Sequence, residues 1–342
     1  AWLEKTQITQ DESRGSWSYP GLGRKGDPSN SQFALLALHE AERLGIKADA
    51  QTWRLAKIYW EELQRADGSW EYFAGQPTGS MTCAGISSLV ITSDRMREDI
   101  ADVDGDRIRC CPQTESDTDP IQKGLGWLGS NFAVGTNPGR GKMHLLYYLY
   151  GMERVGRLTA RRFIGDHDWY REGAEALLRM KGDAVGGRWV GVGADEQNPL
   201  VATSFALLFL SKGRRPILLS KLKHGTSDDW NRQPSDVNNL TRYVESRWEQ
   251  DMTWQVVDLE AATIEDLLES PVLYFCGNES PLPDSAAVQE EIAQKLRGYV
   301  DQGGFLFAEA YVGGSDFDQG FRRLINERGF PEREYRLGPL PP

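Results

Sequence analysis

The chain has 342 residues, 39% of them hydrophobic and 26% charged, with 36 glycines, a globular composition that excludes disorder, collagen and coiled coil for the whole. Its formal charge of -11 argues against a nucleic-acid partner, and no apolar run approaches the roughly 18 residues of a membrane span. Four cysteines, Cys83, Cys110, Cys111 and Cys276, are too few for a disulfide scaffold, and the length predicts two domains.

Residues 1–7 read as a helix already under way rather than as a leader, so the chain is expected to be an excised or processed piece. Four apolar segments then resemble one another, at 30–45, 79–91, 142–156 and 201–213. Their irregular but recurrent spacing is that of helical hairpins. Such nearly all-round apolar helices are expected to be buried on most faces. Amphipathic segments at 51–64, 120–131 and 169–180 lie between them. Glycine-tryptophan turns recur at Gly15-Ser16-Trp17, Gly68-Ser69-Trp70 and Gly187-Arg188-Trp189. Glycine ends a helix there, and the indole supplies a large anchor. The unit is therefore outer helix, turn with Trp, inner helix, and such units stack because none buries its apolar face alone.

Two of these units resemble the repeat motif of squalene and oxidosqualene cyclases. Trp2-Leu3, Gln7 and Gly15-x-Trp17 carry it once, and Tyr59-Trp60, Gln64 and Gly68-x-Trp70 carry it again. Lys123-Gly124-x-x-Trp127-Leu128 keeps only the first half, and Lys181 stands where the fourth glutamine would fall. The resemblance covers residues 1–213. It implies a partial α/α toroid of the kind shared by terpene cyclases and protein prenyltransferases, with glutamine and tryptophan stapling adjacent hairpins. A closed ring would need further hairpins.

Residues 214–342 alternate strand and helix. Strands are predicted at 217–222, 253–258, 271–276 and 305–308, and helices at 236–248, 263–269, 286–301 and 317–327. This pattern predicts a mostly parallel sheet covered on both faces. Lys221-Leu222-Lys223-His224-Gly225, the run 272–279, Leu296-Arg297-Gly298-Tyr299 and Gly303-Gly304-Phe305-Leu306 resemble the bacterial family called domain of unknown function 4159. The resemblance implies a flavodoxin-like or amidotransferase-like fold. The expected fold class is thus multidomain, α followed by α/β, divided at 1–213 and 214–342.

Three chemistries have partial counterparts among these residues. Proton-initiated terpene cyclisation needs D-x-D-D, and the nearest text is Asp102-Val103-Asp104-Gly105-Asp106, D-x-D-G-D, in a polar insertion expected to be a solvated loop. Zinc prenyl transfer needs Asp, Cys and His at the mouths of successive inner helices. Cys83 and His144 stand at such places, but Met81 replaces the aspartate, leaving two ligands where even a catalytic zinc takes three. Glutaminase chemistry needs a cysteine on a strand-to-helix turn with a histidine and a carboxylate. Tyr311 or Val312 occupies that turn, no histidine follows His224, and Cys276 ends another strand with no partner in view.

Two binding surfaces remain. The toroid centre is expected to be lined by Gln32, His39 and Cys83 with His144, Tyr147, Tyr148 and Tyr150. The carboxyl ends of the strands present Asp229 and Trp230, Gly277-Asn278-Glu279, and Glu309 to Gly314 with Gly313 among them, where glycine allows close approach. The leading expectation is a non-catalytic binding or assembly protein of the bacterial cell envelope or periplasm, with no cofactor and zinc as the weak exception. Its partner would be an isoprenoid, a carbohydrate or a protein. The alternative is a toroid enzyme, resembling terpene cyclases or polysaccharide lyases, with His144, Tyr147 and Tyr148 as acid–base groups. A third reading makes the toroid only a platform for the acidic α/β domain.

Overall fold

The computed structural model describes residues 2–19, 25–72, 75–96, 102–104, 107–109, 120–182, 186–211, 216–225, 227–233, 236–311 and 315–330. The chain divides into two compact units, Ala1–Thr159 with Ile164–Ser211, and Ala160–Phe163 with Lys212–Pro342. No helix among the described residues is long and apolar enough to cross a membrane.

The first unit is helical: α1 (Trp2–Thr6), α2 (Pro28–Arg43), α3 (Ala50–Glu62), α4 (Gly79–Met96), α5 (Pro120–Ser130), α6 (Leu145–Leu158), α7 (Trp169–Gly182) and α8 (Pro199–Leu210). Helices α2, α4, α6 and α8 pack one against the next. On their other side α3 and α5 lean on α4, and α7 leans on α6 and α8. Proline at the first turn of α2 and α8 follows an Asp27 or Asn198 cap whose side chain accepts a backbone N–H. Helix α4 is enclosed on all sides over residues 79–92, and its buried Thr82 and Thr92 hydroxyls donate back to the Thr78 and Ser88 carbonyls.

The turns explain the recurrence of glutamine, glycine and tryptophan. Gln7 Nε2 donates to the Gly15 carbonyl in its own turn and to the Thr52 carbonyl at the start of α3, at 3.2 and 3.0 Å. Gln64 Nε2 repeats this with Gly68 and with Pro120 at the start of α5, at 3.0 and 2.8 Å. The indoles of Trp17, Trp70 and Trp189 each donate back to a carbonyl of the preceding helical segment, at Leu3, Trp60 and Leu177. Gly15 and Gly68 have φ of +90° and +88°, and a Cβ there would lie 2.0 Å from the Leu55 oxygen and 2.4 Å from the Lys123 oxygen. Only glycine permits that approach.

Two expectations need correction. Helix α8 is apolar all round yet leaves Leu200, Leu207 and Leu208 exposed, because α6 and α7 cover one side of it. The insertion expected to be loop contains a short antiparallel hairpin, β1 (Asp102–Asp104) and β2 (Arg107–Arg109), whose register pairs Asp102 with Arg109 and Asp104 with Arg107. Gly105 and Asp106, and with them part of the D-x-D-G-D text, lie outside the described residues, as do Cys110 and Cys111.

The second unit runs β3 (Ile217–Lys223), a 3-10 turn (Asp229–Asn231), α9 (Asp236–Trp248), β4 (Thr253–Asp258), α10 (Ile264–Leu267), β5 (Val272–Gly277), α11 (Ala286–Asp301), β6 (Phe305–Ala310) and α12 (Ser315–Arg323), which continues into a π-helical turn (Leu324–Gly329). The four strands form one parallel sheet in the order β4-β3-β5-β6. Alternation along β5 sorts the two faces: Leu273 and Phe275 join the core with α11 and α12, whereas Tyr274 and Cys276 join a smaller cluster with Val237 of α9.

Residues 160–163, which lie between α6 and α7 in sequence, belong to this unit. Arg161 bridges to Val256 in parallel, the Arg162 N–H donates to the Val256 carbonyl at 2.8 Å, and the Val256 N–H returns to Ala160. The buried Arg162 guanidinium meets Asp266 at 3.1 Å and Glu269 at 3.0 Å. Asp266 also closes a capping box with Thr263.

Candidate functional site

In the helical unit the starts of α2, α4, α6 and α8 are laced together. Asp27, the cap of α2, accepts from Tyr72 Oη at 2.5 Å. Asn137 accepts from the Ser80 N–H at 3.0 Å and donates to Ser80 Oγ and the Met143 carbonyl, tying α4 to α6. His144 caps α6 in the left-handed region, φ +54°, with no side-chain capping bond, and its N–H donates to Val192. Glu196 does the capping instead, its Oε1 accepting from the Tyr147 N–H at 2.7 Å. Burial pushes the Glu196 carboxyl up, opposed by the N–H groups at the start of α6 and by His144.

Below this rim stands a wall of four rings. Phe33 of α2 stacks on Tyr147 and Tyr150 of α6 at 6.2 and 6.3 Å, and Phe205 of α8 meets the same two at 5.7 and 5.4 Å. The Arg154 guanidinium lies over Tyr150. Phe33 is 42% exposed, and Tyr147 and Phe205 are half-buried. Behind the wall Tyr147 Oη donates to Gln32 Oε1 at 2.7 Å, while Gln32 Nε2 is buried with no hydrogen-bond partner. Burial pushes the Tyr147 phenol far above its ordinary range, so it is a neutral hydroxyl.

In the second unit the strand order reverses between β3 and β5, which places a crevice at their carboxyl ends. The chain fills that crevice itself. Asp229 Oδ2 accepts the N–H groups of Asn278 and Glu279 at 2.6 and 2.8 Å, and Oδ1 accepts from Arg232 Nε at 2.5 Å. Burial alone would raise its carboxyl, but these donors outweigh burial and hold it below the usual range. A Cβ on Gly277 would lie 2.5 Å from Asp229 Oδ2, so the group that needs the close approach is the protein's own carboxylate. His224, stacked on Phe275 and meeting Phe317 at a tilt, sits 3.0 Å from the Cys276 carbonyl through Nε2. A carbonyl only accepts, so Nε2 carries the proton. Burial lowers the imidazole and keeps it neutral.

On the opposite face a buried network surrounds Cys276, which the sequence left without a partner. Its thiol donates to the Trp230 carbonyl at 3.1 Å and accepts from Tyr311 Oη at 3.0 Å. The single Tyr311 phenol proton is shared between this sulfur and Asp236, 3.2 Å away, which is paired at 2.9 Å with the fully buried Lys221. Lys221 makes two further bonds, to Asn231 and to the Gln233 carbonyl. Tyr274 donates to Glu309 at 2.7 Å. Burial pushes the Cys276 thiol up to about 11 despite Lys221, so it rests as a thiol and not a thiolate.

The sequence-predicted residues therefore separate. Gln32 and Tyr147 meet; Asp229, Asn278 and Glu279 form one knot; Trp230 and Glu309 join the network around Cys276 and Tyr274. His39 stands apart beside Arg95, nearer the other end of α2. Tyr148 is wholly buried, its ring under Gly79, and does not line a surface. Cys83 is also wholly buried, packed on Gly151, and burial pushes its thiol up. Among the described residues no group of three or more His, Cys, Asp or Glu is arranged to hold a metal. Gly313 lies outside the described residues. Sequence reasoning missed Glu196, Lys221 and Asp236. Phe33 and Phe205 fall in apolar segments expected to be buried on most faces, since apolar periodicity does not distinguish core from an open face.

The chain matches none of the curated proteins with which it was compared. Residues 218–342, from β3 onward, match the family described as Domain of unknown function (DUF4159).

Proposed function

We propose that this is a non-catalytic binding protein, whose helical unit is a partial α/α toroid and whose aromatic wall holds the ligand. The toroid reading is supported by the succession of α2, α4, α6 and α8 and by the Gln7 and Gln64 links to the next outer helix. One observation carries the function: Phe33, Tyr147 and Phe205 hold aromatic surface open to solvent on three of the four inner helices, α2, α6 and α8. Exposed rings in contact with one another are a platform for a ligand with flat apolar faces, an isoprenoid or a carbohydrate. The second unit supports the non-catalytic part, because Asp229 is saturated by donors and the Cys276 thiol is buried and protonated. With no charged cofactor in this reading, the amidotransferase-like sheet acts as a scaffold, and the cell envelope is the proposed place of work.

An enzymatic reading of the same wall is favoured by one feature, the Glu196 carboxyl with raised affinity for its proton beside His144. Calorimetric titration of the chain with farnesyl diphosphate and with neutral oligosaccharides separates the two. We expect saturable binding of at least one, weakened at least tenfold by Phe33→Ala, and ligand recovered unchanged by mass spectrometry. Conversion of the ligand would favour the enzyme, and binding indifferent to Phe33→Ala would remove the wall as the site.

A further inference from the structure

We infer that the ligand of this wall is a carbohydrate, gripped through one hydroxyl group by the paired side chains of Gln32 and Tyr147; the inference rests on the wall being the ligand site. The argument is one of donors and acceptors. Tyr147 spends its single O–H proton on Gln32 Oε1 at 2.7 Å, which leaves the phenol oxygen able only to accept. Gln32 Nε2, in a residue 1% exposed, has no acceptor among the described residues. Turning the amide over exchanges the roles: Nε2 then donates to Tyr147 Oη, the phenol proton is released, and Oε1 lacks a donor. In both orientations the pair keeps at least one unused donor beside an unused acceptor.

A hydroxyl group answers both at once, accepting from one partner and donating to the other. A polyprenyl chain answers neither, and a carboxylate answers only the donor. The surroundings agree, since Phe33 and Phe205 flank Tyr147 from α2 and α8 and offer ring faces for the C–H faces of a pyranose. Gln32 is 1% exposed and Tyr147 half-buried, so the grip requires the Tyr147 ring to move aside as the sugar seats. The unmade bond of Gln32 is a cost in the free protein that a sugar hydroxyl removes.

The test uses the whole chain titrated calorimetrically with cellohexaose and chitohexaose, and with farnesol as a hydroxyl-poor isoprenoid. At least one hexasaccharide is expected to bind. Phe33→Ala should weaken it at least tenfold. Tyr147→Phe, which keeps the ring, and Gln32→Leu should each weaken it roughly tenfold, and the double variant little further, because the two act as one group. Thermal melts guard against unfolding of Gln32→Leu, and Tyr147→Phe carries the test alone if that variant fails. Hexasaccharide binding unchanged by Tyr147→Phe would overturn the inference. Binding of farnesol alone, lost in Phe33→Ala, would overturn it while leaving the wall as the ligand site. If no probe binds in a Phe33-dependent way, the wall itself falls as well.

Discussion

At the scale of single residues, burial decides what each polar group can do. Cys276 and His224 lie within one strand-end of each other, yet neither is a poised reagent. The thiol is raised and the imidazole lowered by the same desolvation, so both rest uncharged. For His224 this has a pH signature. Its folded form binds a proton less readily than the unfolded chain does, so the unfolded state takes up more protons as pH falls. Stability is then full above the ordinary histidine range and declines as pH drops through it, by at most about 1.4 kcal/mol per pH unit for one proton. Urea unfolding at pH 7.5 and 5.5 should show the loss, and His224→Gln, which can still donate to the Cys276 carbonyl, should flatten it. Equal slopes in both proteins would refute the assignment.

At the scale of elements, the outer-helix turns hold the helical unit together through backbone oxygens rather than through side-chain matching. Gln64 and Gly68 meet the start of α5 at two adjacent points, the Pro120 and Lys123 carbonyls. A methyl group at Gly68 would meet the Lys123 oxygen at 2.4 Å and would also force a positive φ on alanine. Gly68→Ala is expected to cost about 3 kcal/mol or more, and Gln64→Leu about 1–3 kcal/mol through the orphaned carbonyls. Chemical denaturation monitored by tryptophan fluorescence reads both. A Gly68→Ala protein as stable as the parent would mean that α5 is free to move away. The repeated turn was legible because it needs particular residues at fixed offsets, Gln, then Gly-x-Trp. The openness of α8 was not legible, since its composition is that of a helix covered all round.

At the scale of the whole molecule, sequence order and structural membership diverge. Residues 160–163 fall inside the helical stretch of the sequence but add to the edge of β4, and Arg162 brings its charge to Asp266 and Glu269. Removing one partner of a buried pair leaves the others uncompensated, which typically costs about 3–5 kcal/mol. Arg162→Ala should therefore destabilise the α/β unit by about that much, read as earlier loss of amide protection in β4 on hydrogen exchange. Unchanged protection there would show that the strand-like pairing alone suffices.

The sequence by itself determined the element types, the parallel α/β region and the recurrent turns. The predicted ranges 236–248, 253–258 and 286–301 coincide with α9, β4 and α11. Periodicity and turn chemistry are local, acting within a few residues, so one chain displays them unaided. The sites were decided only in three dimensions. Gln32 meets Tyr147 across 115 positions, Tyr311 meets Asp236 across 75, and Asp229 meets Asn278 across 49. Which polar groups are paired, buried or left wanting depends on which helices and strands become neighbours, and that is a property of packing that no local pattern encodes.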